Sequence, residues 1–173
     1  MLIIFSGLPG VGKSAVSRLL SEKLPTVYLR IDNIEQSMIE SKIVKREDLK
    51  DYGYRVAYSI AADNLRIGST VIADSVNPIQ ITRDAWKNVA AEASSPYLEV
   101  ELICSDLDEH RKRVEFRKLD IDNFVQPTWE DIQNRYYESW NCDHLIIDTA
   151  RCSVSETANT IFEKLELEYR ELL

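Results

Sequence analysis

Short apolar runs alternate along this chain with segments whose apolar residues recur every three or four positions. The first run is Leu2 to Ser6, and glycine-rich turn residues follow it. Val16, Leu19, Leu20 and Leu24 then keep helical spacing until Pro25 stops the pattern. Val27 to Ile31 reads as a second strand, and helical patterns cover about 33–41 and 54–67. In the latter, Ala57, Ala61 and Leu65 fall four apart with Ile60 beside them, and Gly68 ends the helix. Thr70 to Ala73 is a third strand ending at Asp74, and a helix over 79–93 puts Ile81, Ala85, Val89 and Ala93 on one face. Leu98 to Cys104 is a fourth strand. Asp106 with Glu109 three residues later opens a helix that runs to about Lys118. The stretch 119–127 is polar and irregular, Thr128 to Ser139 has a helical pattern, and His144 to Asp148 is a fifth strand. Ser153 and Glu156 start the last helix, whose stripe is Val154, Ala158, Ile161, Phe162 and Leu165.

Five near-continuous apolar strands alternating with helices predict an α/β fold with a parallel sheet buried on both faces. Ligand then belongs at the carboxyl ends of the strands. A length of 173 residues suits a single domain with its own core. A net charge of −8 argues against a chain that coats nucleic acid or anionic membrane, though it permits a local basic pocket. No apolar run reaches the roughly 20 residues of a spanning helix, and Leu2 to Phe5 is too short for a signal-peptide core. Cys104, Cys142 and Cys152 show no CxxC spacing, so buried reduced thiols and a cytoplasmic location are expected, without a structural zinc site.

The sharpest chemistry is Gly7-Leu8-Pro9-Gly10-Val11-Gly12-Lys13-Ser14, followed by Ala15. It satisfies G-x-x-x-x-G-K-[ST] between an apolar strand and an amphipathic helix. Glycines let successive N–H groups turn inward on phosphate oxygens, and the helix N-terminus adds partial positive charge. Lys13 supplies a mobile cation for the β- and γ-phosphates, and the Ser14 hydroxyl a ligand for Mg²⁺. These residues imply a magnesium-bound nucleoside triphosphate. No Asn/Thr-Lys-x-Asp element for guanine is present, and Ser75, not Glu, follows Asp74, so no acid is placed to activate water as in a motor ATPase. Transfer of the γ-phosphate to an acceptor hydroxyl is favoured over a switch or a motor.

Four stations carry a resemblance: Gly7 to Ser14; Arg30-Ile31-Asp32; Asp74-Ser75-Val76-Asn77-Pro78; and the Arg113/Arg117 pair ahead of Pro127. In this order they resemble the zeta-toxin-like, AAA-type small P-loop kinases, a group with polynucleotide 5′-hydroxyl kinases, chloramphenicol phosphotransferase and gluconate kinase. The resemblance implies a P-loop fold with strand order 2-3-1-4-5, one domain over 1–173 and a helical lid over about 106–140. It implies Asp32 as general base toward the acceptor, and its place after the second strand agrees, although Asp32 also suits a helix cap. Asp74 would serve magnesium with Ser14, and Asn77 would touch the acceptor. In the lid, Arg113 would lie near adenine and Arg117 would reach the phosphates, with Lys13 and Arg117 stabilising the transferring group.

Arg30, at the end of a buried strand, would bind an anionic part of the acceptor or pair with an acid. Tyr54, Arg55 and Tyr58 are candidates for the acceptor pocket or for surface packing, with Arg83 and Arg135 weaker ones. Trp129, Tyr136, Tyr137 and Trp140 read as helix packing, His110 and His144 as ordinary surface histidines. The loop Thr149 to Cys152 would wall the adenine. The expected activity is ATP-dependent phosphotransfer to the hydroxyl of a small molecule. The alternatives are a polynucleotide 5′-hydroxyl kinase and a non-catalytic ATP-binding regulator. The acceptor and the oligomeric state are not written in the sequence.

Overall fold

The computed structural model describes residues 1–169. Five parallel strands form one sheet in the order β2-β3-β1-β4-β5: β1 (Leu2–Ser6), β2 (Thr26–Arg30), β3 (Thr70–Asp74), β4 (Tyr97–Ile103) and β5 (Leu145–Asp148). This is the expected P-loop architecture and strand order. Seven helices join or flank the strands: α1 (Lys13–Lys23), α2 (Ile31–Glu40), α3 (Tyr52–Arg66), α4 (Gln80–Glu92), α5 (Leu107–Phe116), α6 (Trp129–Gln133) and α7 (Val154–Tyr169). A short 3-10 turn, Arg46–Asp48, precedes α3.

The central strand explains why its sequence is apolar throughout. β1 pairs with β3 on one side and β4 on the other, so both its faces are covered. Ile3 and Phe5 join one core with Leu20, Ile72, Val100, Ala158, Ile161 and Leu165. Leu2 and Ile4 point the other way, to Ala57, Ala61, Leu65, Val71 and Trp86. The period-two alternation of a strand thus sorts one continuous run into two cores.

Four elements differ from the pattern-based expectation. Helix α4 does not bury the Ile81 face: Ile81 is 71% exposed, and the buried residues are Arg83, Trp86, Val89 and Ala90. In α3, Ile60 likewise lies toward solvent while Ala57, Ala61, Ala62 and Leu65 are buried. Helix α5 stops at Phe116, so Arg117 is its extended C-terminal cap and shares no helical face with Arg113. The helix expected over 128–139 closes after Gln133. Thr128 and Asp131 form a reciprocal capping box at its start. Beyond it the chain wraps around the buried Arg83, whose guanidinium donates to the carbonyls of Asn77 (3.0 Å) and Glu138 (2.7 Å). Arg83 also lies over the rings of Trp140 (4.2 Å) and Tyr137 (5.1 Å). A helix would commit the Glu138 N–H to the Asn134 carbonyl; here it donates to the Pro78 carbonyl at 2.7 Å, while the Glu138 carbonyl accepts from Arg83.

The 134–144 stretch covers the outer part of the sheet face that carries Glu99 and Glu101 of β4. His144 stacks on Trp140 at 3.8 Å and pairs with Glu101 at 2.9 Å. It is thus a packed side chain, not the surface histidine its sequence suggests. Tyr136, expected to pack, is 72% exposed. The three cysteines are free, but only Cys104 is buried; Cys142 is exposed and Cys152 half-buried. Among the described residues no helix is long and apolar enough to cross a membrane.

Candidate active site

The loop between β1 and α1 is shaped by two glycines above all. A Cβ on Gly7 would come 2.2 Å from the Leu102 carbonyl oxygen, and its φ of +130° is open only to glycine. Gly12, at φ +100°, is the N-cap of α1 and faces open space. No side chain caps that helix. Among the described residues, the N–H groups of Gly10, Gly12, Lys13 and Ser14 have no acceptor. They form a nest of unpaired donors at a helix N-terminus, the arrangement that binds a phosphate chain. Lys13 is buried and folds back, its Nζ donating to the carbonyls of Gly7 (2.7 Å) and Leu8 (3.0 Å). Burial pulls its pKa down to about 8, against the attraction of Asp74 and Asp32.

A cavity of about 980 Å³ opens over this loop, at the carboxyl ends of β1, β2 and β3. From the loop, Pro9, Gly10, Gly12, Lys13, Ser14 and Ala15 line it. Gly7, Leu8 and Val11 do not; Gly7 and Val11 are buried and Leu8 half-buried beneath the loop, and Val11 and Gly12 face a second cavity of about 270 Å³. Thr149 and Cys152 line that smaller cavity, where the loop after β5 was expected to act.

Asp32 stands in the first turn of α2, which begins at Ile31 and thereby carries the carboxylate into the large cavity. Burial raises its pKa; Lys13, Arg30 and Arg117 oppose the rise and Asp74 adds to it. Asp74, at the end of β3, is 3% exposed and accepts from Tyr28 Oη at 2.7 Å. Tyr28 thereby fixes the carboxylate expected to serve magnesium. The sequence offered no sign of Tyr28, which looks like any aromatic residue in a strand.

Arg30 does pair with acids. Its guanidinium donates to both carboxylate oxygens of Asp120 at 2.9 Å and lies 3.9 Å from Asp74. Asp120 also accepts from Arg18 of α1, tying the 117–128 stretch across the cavity mouth. Arg117 lines the cavity with its Nε buried and unpartnered. Arg113 lines both cavities and is anchored to Glu109 (2.9 Å) and to Thr149 Oγ1 (2.9 Å). His110 is 4% exposed, not a surface residue, and its Nε2 donates to the Pro9 carbonyl at 2.8 Å. Trp129 meets it edge-on at 5.1 Å. Helix α5 therefore braces the phosphate loop directly.

Asn77, Arg55, Tyr58 and Arg83 fall outside the site. Asn77 is fully buried: its Nδ2 donates to the Phe5 carbonyl (2.9 Å), and its Oδ1 accepts from Trp86 Nε1 (3.2 Å). With every polar atom occupied, it ties β1 to α4 and cannot reach an acceptor. Arg55 is exposed and lines no part of the cavity, because it projects from the outer side of α3. Tyr54 does line the cavity, whereas Tyr58 packs on Trp86. Arg83 is structural, as described, and Arg135 lines the cavity. Glu35, Arg46 and Lys50 also line it, and none was singled out from the sequence. Glu35 lies one helical turn beyond Asp32, a spacing that places both on one face of α2.

A parallel sheet of this order, a phosphate-binding loop after its first strand and carboxylates at the next two strand ends define a P-loop kinase-type fold. The AAA domain family model matches residues 2–139, and the chain belongs to that family, with the small P-loop kinases. Among solved structures, the Mycobacterium tuberculosis APS kinase CysC in complex with AMPPNP and APS superposes with a TM-score of 0.70 at 20% identity, covering 95% of this chain and 96% of that one. A gluconokinase from Sinorhizobium meliloti 1021 gives 0.66 at 16% identity, with 98% and 94% coverage. Kti12 of Chaetomium thermophilum, in complex with ADP-AlF3, gives 0.63 at 18% identity, with 94% and 98% coverage. At such identities the likeness is one of fold.

Proposed function

We propose that this protein is an ATP-dependent phosphotransferase that moves the γ-phosphate of Mg-ATP to a hydroxyl of a small molecule. One observation carries the reading: Asp32 lines the same cavity as Lys13 and the open N–H nest, close enough to Lys13 for each to perturb the other's ionisation. A triphosphate in the nest draws Lys13 off its own loop carbonyls and onto phosphate oxygens. Asp32 takes the acceptor's hydroxyl proton or aligns that hydroxyl for attack, and its raised pKa makes it the stronger base. Arg117, with a free buried Nε, meets the charge that spreads over the phosphoryl oxygens. Arg113 borders the smaller cavity, which we assign to the adenine.

Magnesium fits the residues present. Among the described residues no three His, Cys, Asp or Glu side chains converge on a metal by themselves. The Ser14 hydroxyl would bind the ion directly, and Asp74, fixed by Tyr28, would hold its water shell. The bound ion neutralises phosphate charge and fixes the phosphate geometry. The three free thiols fit a reducing compartment, and we place the protein in the cytoplasm.

The test is a radiolabelled γ-phosphate screen across hydroxyl metabolites, with oligonucleotide 5′ ends as a separate arm. Label on a small molecule supports the reading. Label only on oligonucleotide ends replaces it with an end kinase, and tight ATP binding with no acceptor replaces it with a regulatory binder.

A further inference from the structure

The transfer reaction leaves one end of the large cavity without a role. Away from the phosphate loop, its wall is built by α2, the 3-10 turn, the start of α3 and the segment after α6. Three cations project there: Arg46, Lys50 and Arg135. The side chains of Lys50 and Arg135 form no hydrogen bond or ion pair with another described residue. Arg46 is positioned by an uncharged partner: its Nη2 donates to Gln36 Oε1 at 2.9 Å. Gln36 is 4% exposed and is itself fixed by donating to Glu40 at 3.0 Å. A buried amide thus orients the guanidinium, which forms no ion pair among the described residues.

Among the described residues no carboxylate forms an ion pair with these cations. Asp131 is committed to the backbone N–H and hydroxyl of Thr128, at 2.8 and 2.7 Å. Asp32 faces Lys13 and Arg117. Asp51 also lines this wall, offsetting part of the charge without forming an ion pair among the described residues, and Glu35 remains. Burial first, and then Asp32, push the Glu35 carboxyl up to about 7 despite Arg46 and Arg135, so much of it is neutral at physiological pH. The backbone at Gly53 packs so closely on Glu35 that an added Cβ would lie 2.3 Å from its Cγ. This holds Glu35 at the wall. Arg30, the expected anion contact, is already occupied by Asp120 and Asp74.

We infer that the acceptor carries its own anionic group, a carboxylate, phosphate or sulfate, seated by Arg46, Lys50 and Arg135, while Asp32 receives its hydroxyl. This deepens the phosphotransferase reading and rests on it. Seat and nest line the same cavity, with Arg135 near enough to Lys13 to act on its charge, so one molecule can reach from the cations to Asp32. Fork-shaped guanidiniums suit oxyanions, and Glu35 beside them accepts from or donates to further hydroxyls of the same molecule.

The experiment uses matched pairs that differ only in the anionic group: sugar acids with sugar alcohols, sugar phosphates with sugars, sugar sulfates with sugars. Each is assayed for phosphoryl transfer, and each is titrated by calorimetry against protein saturated with Mg-ADP. The anionic members are expected to be turned over and to bind, more weakly as salt rises. In Arg46→Gln/Arg135→Gln, KM for the best anionic acceptor should rise about 10- to 100-fold, with KM for ATP unchanged and the neutral partners unaffected. The carboxylate, phosphate and sulfate arms identify the group. Equal use and binding of neutral and anionic members, or an acceptor KM that the double variant leaves unmoved, overturns the inference. Anion binding that Arg46→Gln/Arg135→Gln abolishes, with no transfer to any compound, removes the kinase reading and keeps the anion seat.

Discussion

Lys13 holds its own loop's carbonyls when no phosphate is near, and burial keeps its pKa at about 8. Its cationic form is therefore lost as pH rises through that value. Affinity for a nucleoside triphosphate, followed by fluorescence titration from pH 7 to 9.5, should fall across this window; Lys13→Arg should flatten the fall. Glu35 works in the opposite sense. Its folded pKa, about 7, lies above the ordinary value of 4.5, so ionisation opposes folding. The stability it contributes is complete below pH 4.5 and is lost as pH climbs through 7. Urea melts should show Glu35→Gln equal to the parent near pH 4.5 and more stable at pH 8. Lys13 was legible in the sequence because its spacing from two glycines is diagnostic. Glu35 was not, since its meaning comes from burial beside Asp32 and from the room left by Gly53, a residue of another helix.

At the scale of elements, the phosphate loop is locked from two directions: Gly7 lies against Leu102 of β4, and His110 of α5 bonds Pro9. Gly7→Ala should cost at least about 3 kcal/mol, read from chemical melts, because it adds both a clash with backbone and a disallowed φ. The segment 134–140 depends in the same way on Arg83. Arg83→Met keeps most of the volume but orphans carbonyls at Asn77 and Glu138; a loss of about 3 kcal/mol and early protease cleavage near 134–140 are expected. Strand and most helix positions followed from apolar spacing, because the central strands are covered on both faces and all five pair in parallel. The failures have one cause. Spacing treats Arg as an outward residue, and here Arg83 is fully buried, drawing the stretch after α6 onto α4 and turning α4 so that Ile81 faces water. Asn77 was misread for a related reason, since Asn-Pro signals a turn but not which of its polar atoms the core has taken.

For the whole molecule, an acidic chain of net charge −8 concentrates Lys13, Arg18, Arg30, Arg113 and Arg117 around one cavity. Opposed carboxylates, Asp32 and Asp74, stand at the ends of neighbouring strands. The parallel topology achieves this economically: every strand's carboxyl end lies on the same edge of the sheet. The nucleotide side of this arrangement was open to reading, as its residues are consecutive in the chain. The acceptor side gathers α2, the 3-10 turn, α3 and the stretch after α6, which no local pattern links. The most direct measurement is the effect of Asp32→Asn on transfer and on nucleotide affinity in the same preparation. Affinity for Mg-ATP should stay within about two-fold while the rate of phosphoryl transfer drops about 10²- to 10⁴-fold. Transfer at the parent rate would contradict a role for Asp32 in presenting the acceptor, and with it the central claim.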